Sequence, residues 1–396
     1  MERAKYDSWI EIDLDAIKHN YEEARAALPK QVAIMAVLKA DAYGFGAVQV
    51  AKELEKSGAN MLAVSTAAEG LELRAAGINL PILVFLPINP NLLAEALAAE
   101  LIPTITSCAE LEYLAATVQG KSIPFHLKIN TGMNRLGVKP AEINKTIEML
   151  KQINGPYLQG VYSHFATAMN KNLKHSLAQL KVFNQACEVL KEAGFKDFQA
   201  HMAASAAFLR LPQSQLNMVR LGNVLYGQPG AAFGPQLNLK KAWQPKARII
   251  GTSLVQKGQA VGYGCNYKTK KDMQIGVLAV GYTDGYRVVS KARPQTIARI
   301  KTDCLIDLAR KILKKENYQV TTSAGSLSVV GRLSMQQLTI DISGKNLQVG
   351  DVIDFTLRYT NNNAKIPRIY LKEGKVTAIR DWQGLHCSQS SAEMAQ

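Results

Sequence analysis

The sequence predicts a (β/α)8 barrel followed by a second, mostly β domain, and three observations predict it. Eight short apolar runs alternate with helical patterns between residues 31 and 227. From residue 246 to about 380 the texture changes to strand-like runs with few long helices. Between the two lies a turn-rich stretch, GQPGAAFGPQ, suited to a linker.

The eight runs are VAIMAVL (32–38), MLAVS (61–65), PILVFL (81–86), IPTIT (102–106), FHLKI (125–129), LQGVYSHF (158–165), FQAHMAA (198–204) and NMVRLG (217–222). The segments between them, such as AVQVAKELEKSG, AAEGLELRAAG, NLLAEALAAE and SLAQLKVFNQACEVLKEAG, carry apolar residues at i, i+3 and i+4, and several end at glycine. Strands apolar on both faces and joined by crossover helices form a parallel sheet, and eight such units close a barrel. A doubly wound open sheet is the alternative. The later runs, ARIIGTSLV, QIGVLAVGY, LSVVGRLSM, QLTIDIS and VIDFTLRY, form the β domain, interrupted by an amphipathic helix, DCLIDLARKILKKENY (303–318). The expected division is a barrel over 1–235, a β domain over 236–385 and a polar tail over 386–396.

Composition narrows the function. At 396 residues the chain exceeds what one core organises, and its 47% apolar content argues against disorder. The net charge of +15 comes from basic residues spread over helices and loops, which fits anionic small molecules better than nucleic acid. Five cysteines, far apart and odd in number, suggest reduced thiols and a cytoplasmic location. No apolar run approaches the ~20 residues that cross a bilayer, so neither export nor a membrane span is expected. No metal site is expected.

In a barrel, chemistry belongs at the C-terminal ends of the strands. Lys39 ends the first strand, in AVLKADAYGFG; Arg135 follows the fifth, His164 ends the sixth, Ser205 follows the seventh, and Arg220 lies in the eighth. A lysine at the end of an apolar run either snorkels to water or is used. Two turns offer amides to an anion: Ser205 and Ala206 at an expected helix start, and Gly222 with Asn223. A strand-end lysine beside such a cradle suits a phosphorylated aldehyde held as a Schiff base.

With those residues in place, AVLKADAYGFG, HLKINTGMNRLGV, VYSHFA, NMVRLGNVLYG, AVGYGCNY, LAVGYTDGYR and VVGRLSMQQ resemble, in order, the blocks of the alanine racemase family, over residues 8 to about 380. The resemblance implies pyridoxal 5′-phosphate on Lys39, which then acts as base on one face of the substrate Cα. Tyr263 would serve the opposite face from the β domain of a second subunit, making a homodimer with shared sites. Both groups have ordinary values near 10 and must be lowered; Arg220, the cofactor and His164 are the expected perturbers. Arg220 would meet the pyridine nitrogen, Arg135 the substrate carboxylate, and Lys128 matches a lysine often carbamylated in the family. Tyr43, His164, Ser205, Gly222 and Asn223 would hold the cofactor; Tyr282 and Met335 would line the pocket. The implied role is supply of D-alanine for peptidoglycan.

The chain also departs from the family pattern. Ala204 stands where asparagine is usual, Gln336 where aspartate is usual, and the inner-gate tyrosine has no clean match, Tyr359 being the nearest. A looser pocket accepting serine, lysine or other amino acids is therefore an alternative, as is a catalytically silent homologue with a binding role.

Overall fold

The computed structural model describes residues 3–229, 234–286, 302, 304, 305, 309, 319–322, 325–357, 360 and 362–387. Most of the helix expected over 303–318, Tyr359, and residues 388–396 of the expected tail lie outside the described residues.

In chain order the strands are β1 (Ser8–Asp13), β2 (Ala33–Val37), β3 (Met61–Val64), β4 (Ile82–Val84), β5 (Leu101–Ile105), β6 (Ile123–Lys128), β7 (Pro156–Tyr162), β8 (Gln199–Ala204) and β9 (Met218–Leu221). There follow β10 (Trp243–Val255), β11 (Met273–Leu278), β12 (Gln319–Thr322), β13 (Gly325–Val330), β14 (Leu338–Asp341), β15 (Val352–Asp354), β16 (Arg368–Lys372), β17 (Lys375–Asp381) and β18 (Gly384–Cys387).

Strands β2 to β9 close a barrel in sequence order, and the eight runs read from the sequence each supply one of them. β2 pairs in parallel with both β3 and β9, which closes the ring. One interior layer is Met35, Met61, Ala63, Leu83, Ile102 and Met218, so the barrel is filled rather than hollow. Crossover helices start where the sequence supplies caps. Thr66 and Glu69 form a reciprocal capping box on helix Ala67–Ala75, Asn89 precedes Pro90–Ala98, and Ser107 caps Cys108–Val118.

Two bulges break the barrel's regular alternation. Phe125 pairs with Leu158 but His126 with Gly160, so Gln159 is an extra residue in β7. His201 pairs with Met218 but Ala204 with Arg220, leaving one extra residue in β8. A bulge shifts which face later side chains take, and bulges gather near functional sites.

Contacts divide the chain into two units: Asp13–Ala242, and Met1–Ile12 together with Trp243–Gln396. The first strand thus belongs to the β-rich unit, where β1 pairs antiparallel with β10 from Ser8↔Ala247 to Ile12↔Trp243. The sheet of that unit runs β12-β13-β14-β11-β10-β1-β16-β17-β18, with β15 also on β10. The sequence places the division at 235/236 and puts the N-terminus with the barrel; contacts place both differently, because a strand pairs by its neighbours in space.

Candidate active site

Lys39 follows β2 directly, and the backbone then makes an unusual turn. Ala40, Asp41, Ala42 and Tyr43 have φ of +53°, +54°, +51° and +58°, so four non-glycine residues are left-handed in succession. The turn brings the Tyr43 ring to 5.1 Å from Tyr226, whose hydroxyl donates to the Val37 carbonyl at 2.9 Å. The Lys39 Nζ lies 5.7 Å from the centre of the Tyr43 ring.

Gly222 lets the Tyr43 hydroxyl approach closely: a Cβ there would stand 2.5 Å from it and would displace the ring. The Gly222 N–H donates to Ser205 Oγ at 3.1 Å. Ser205, Gly222, Asn223 and Tyr43 are thus gathered as the sequence suggests, with one correction. Residues 205–210 form turns and not a regular helix, so Ser205 does not start one. The amides on offer belong to irregular turns, with no helix dipole behind them.

Arg220 is the centre of the site and is almost wholly buried. Its Nη1 donates to His201 Nδ1 and to the His201 carbonyl, both at 2.9 Å. Its Nη2 donates to the carbonyls of Ser163 (2.6 Å) and Met202 (3.1 Å) and lies 3.2 Å from His164 Nδ1. Among the described residues its Nε–H has no hydrogen-bond partner. Burial lowers the guanidinium to about 10, so it remains a cation at neutral pH.

A cation donating to Nδ1 fixes the tautomer of each histidine it meets. His201 must then carry its proton on Nε2, which lies 2.9 Å from His126 Nδ1; His126 in turn presents Nε2–H to Gln159 Oε1 at 3.4 Å. The result is a directed chain, Arg220 to His201 to His126 to Gln159, threaded through the barrel interior. Burial, then Arg220, holds His201 well below its ordinary value; burial holds His126 at about 4. His164 is pushed to about 3 by burial, then by Arg220, Lys39, Arg135 and Lys128. It is therefore neutral, and the sequence-based expectation that it adds positive charge is corrected.

The remaining barrel residues make a cationic mouth. Lys128, at the end of β6, is buried with Nζ 5.5 Å from the Tyr162 ring; burial, then Arg135, Arg220 and Lys39, lower it to about 8. Lys39 is lowered by burial and by Arg135, raised by Glu69 and lowered again by Arg220. Lys128, Arg135, Ser163 and His164 line one small cavity. Tyr162 stacks on His201 at 4.9 Å, under the Arg220 guanidinium at 5.2 Å. Tyr162, His126, His201, Gln159 and Glu69 were not anticipated. The available signal was two histidines inside apolar runs that become buried strands.

In the β-rich unit, Tyr263 stands 69% exposed on a short turn, Tyr263–Cys265. That turn leans on the next loop, since a Cβ on Gly331 would lie 2.7 Å from the Val261 carbonyl. The same loop continues to Ser334 and Met335, whose carbonyls accept from Tyr282 N (3.1 Å) and Thr283 N (3.0 Å). Tyr263, Tyr282 and Met335 are therefore carried by adjoining loops, and each is largely exposed.

Two family models match the chain: alanine racemase, N-terminal domain, over residues 12–229, and alanine racemase, C-terminal domain, over residues 242–368. The alanine racemase of Syntrophobacter fumaroxidans is 35% identical over 339 residues, 85% of this chain and 84% of that protein. That of Geobacillus stearothermophilus is 34% identical over 390 residues, covering 95% and 96%. Among solved structures, alanine racemase from Bacillus anthracis with bound L-Ala-P superposes with a TM-score of 0.82 at 28% identity, over 95% of this chain and 98% of that one.

Proposed function

The chain belongs to the alanine racemase family, and we propose that its barrel mouth holds pyridoxal 5′-phosphate on Lys39 while Tyr263 of a second copy attends the opposite face of the substrate. The reaction is the interconversion of L- and D-alanine. The observation that carries the cofactor reading is a half-buried strand-end lysine within a cluster of cations, beside a glycine cradle closed by a tyrosine hydroxyl.

The residues present fit the cofactor. Arg220 has one donor, Nε–H, without a protein partner among the described residues, and an arginine can donate to the ring nitrogen but not protonate it. The Ser205 and Tyr43 hydroxyls suit a phosphate, with the Gly222 amide, which donates to Ser205 Oγ, holding that hydroxyl in place and Asn223 following it in the same turn. When bound, pyridoxal phosphate supplies an electron sink that acidifies the Cα–H of an attached amino acid.

The chain's own residues do the rest. Lys39, lowered by burial and by Arg135, is closer to the free amine that accepts a proton from Cα on one face. Tyr263 would deliver or accept the proton on the other, since a single base returning it to the same face changes nothing. Arg135 offers a planar fork to the substrate carboxylate. Lys128, lowered to about 8, has a share of free amine near neutrality, the form that captures carbon dioxide; as a carbamate it would attract Arg135 where an ammonium repels it. Tyr282 and Met335 line the approach to Tyr263. The product would supply D-alanine for peptidoglycan from the cytoplasm; no described helix is long and apolar enough to cross a membrane.

The test follows the Cα hydrogen. Purified protein with cofactor and L-alanine in heavy water should take up deuterium at Cα and form D-alanine. Tyr263→Phe should exchange one enantiomer without making the other. Full racemisation by that variant would remove Tyr263 from the chemistry.

A further inference from the structure

Four successive left-handed residues without a glycine persist only where their surroundings hold them, because each Cβ crowds the following carbonyl. The turn's own backbone bonds gather at its exit: Gly44 N–H donates to the carbonyls of Ala40 (3.0 Å) and Asp41 (2.9 Å), Phe45 N–H to Ala42 (3.1 Å) and Gly46 N–H to Asp41 (3.0 Å), while Ala42 N–H donates to the Leu38 carbonyl at 2.7 Å. At its exit, Asp41 Oδ1 accepts from Ala47 N–H at 2.8 Å. At its start, beside Lys39, the anchor comes from elsewhere in the chain. Glu69 Oε1 accepts from Ala40 N–H at 2.6 Å, while its Oε2 accepts from Ser65 N–H (2.8 Å) and Thr66 N–H (3.1 Å).

The bond to Thr66 completes the capping box and would serve that purpose in any helix. The bonds to Ala40 and Ser65 serve no cap. They tie the backbone next to Lys39 to the end of the neighbouring strand β3. We propose that Glu69 is a positioning residue for Lys39: its carboxylate clamps the left-handed turn at Ala40 and so fixes the direction from which the lysine enters the barrel mouth. Losing the clamp releases Ala40 from its positive φ and lets the lysine backbone drift. The inference rests on the reading of Lys39 as the cofactor lysine.

A glycine at position 40 takes positive φ without steric penalty, which separates the clamp from the cap. The holoenzyme is compared as wild type, E69A, E69Q, A40G, E69A/A40G and T66A. The readouts are the visible band of the lysine-bound cofactor and its pH titration, cofactor loss on gel filtration, kcat and KM, and melting temperature. E69A should shift the titration midpoint and raise cofactor loss and lower kcat by about tenfold, the scale of one charge-assisted hydrogen bond. E69Q, which keeps an acceptor for Ala40, should fall between, and it carries the test should E69A not fold. A40G should restore much of what E69A loses. T66A should lower the melting temperature and leave the titration where it was. An E69A enzyme with the wild-type titration and cofactor retention, or one that A40G does not rescue, overturns the clamp and leaves Glu69 a helix cap. A wild-type chain with no band, or K39A retaining it, overturns the cofactor reading and takes the clamp with it.

Discussion

A buried arginine held by carbonyls and neutral imidazoles keeps its charge only because every acceptor around it points inward. Arg220→Lys would place one compact ammonium where a fork makes five contacts, two at Nη1 and three at Nη2. Racemisation should fall at least about tenfold and the protein should melt earlier, since a buried His201 nitrogen loses its donor. The histidines set an acid limit. Their folded values, about 4 for His126, about 3 for His164 and low for His201, lie below the ordinary 6.5, so the unfolded chain binds more protons between those limits. Their contribution is fully present above pH 6.5 and is lost as pH falls toward 4 and then 3. Urea titrations across that range should show stability dropping by up to roughly 1.4 kcal/mol per pH unit per histidine, and His126→Asn should flatten the slope. Lys39, Arg135, Ser205 and Arg220 were legible at strand ends because the barrel dictates where chemistry sits. His126, His201 and Tyr162 were not, since a histidine in an apolar run reads the same whether it packs or relays a proton tautomer.

At the scale of elements, the eight barrel strands were legible because strands buried on both faces must be continuously apolar. The bulges at Gln159 and in β8 were not, since one extra residue leaves no mark in composition, yet they accompany the meeting of His126 and His201. Gly160 shows how tightly this is built: a Cβ there would lie 2.5 Å from the His126 ring. Gly160→Ala should destabilise the protein by about 1–3 kcal/mol in urea titration, the usual scale of overpacking. The expected helix start at Ser205 fails because a serine after a strand caps a helix or a turn equally well. The left-handed turn after Lys39 was equally hidden, for its residues, ADAY, are not ones that favour positive φ as a group.

At the scale of the molecule, the proposed exchange of Tyr263 between copies makes a mixing prediction. K39A and Y263F proteins, each inactive alone, should regain activity when unfolded and refolded together. A random mixture would reach about one quarter of wild-type sites, because half the dimers then hold one intact site of two. No recovery would mean that Lys39 and Tyr263 serve the same copy's site. Substrate range belongs to this scale as well: Ala204 ends β8 near the cradle and Gln336 is exposed beside Met335, so turnover of L-serine and L-lysine beside L-alanine measures whether these departures loosen the pocket. Apolar periodicity and strand-end chemistry are local properties that survive in one dimension, so the barrel, the β-rich second unit and the family were legible from the chain alone. Three features needed the fold in space: the first strand joins the β-rich unit, His164 is neutral, and Glu69 grips the turn beside Lys39. Pairing, desolvation and carboxylate reach depend on which residues meet in space, and chain order does not record that.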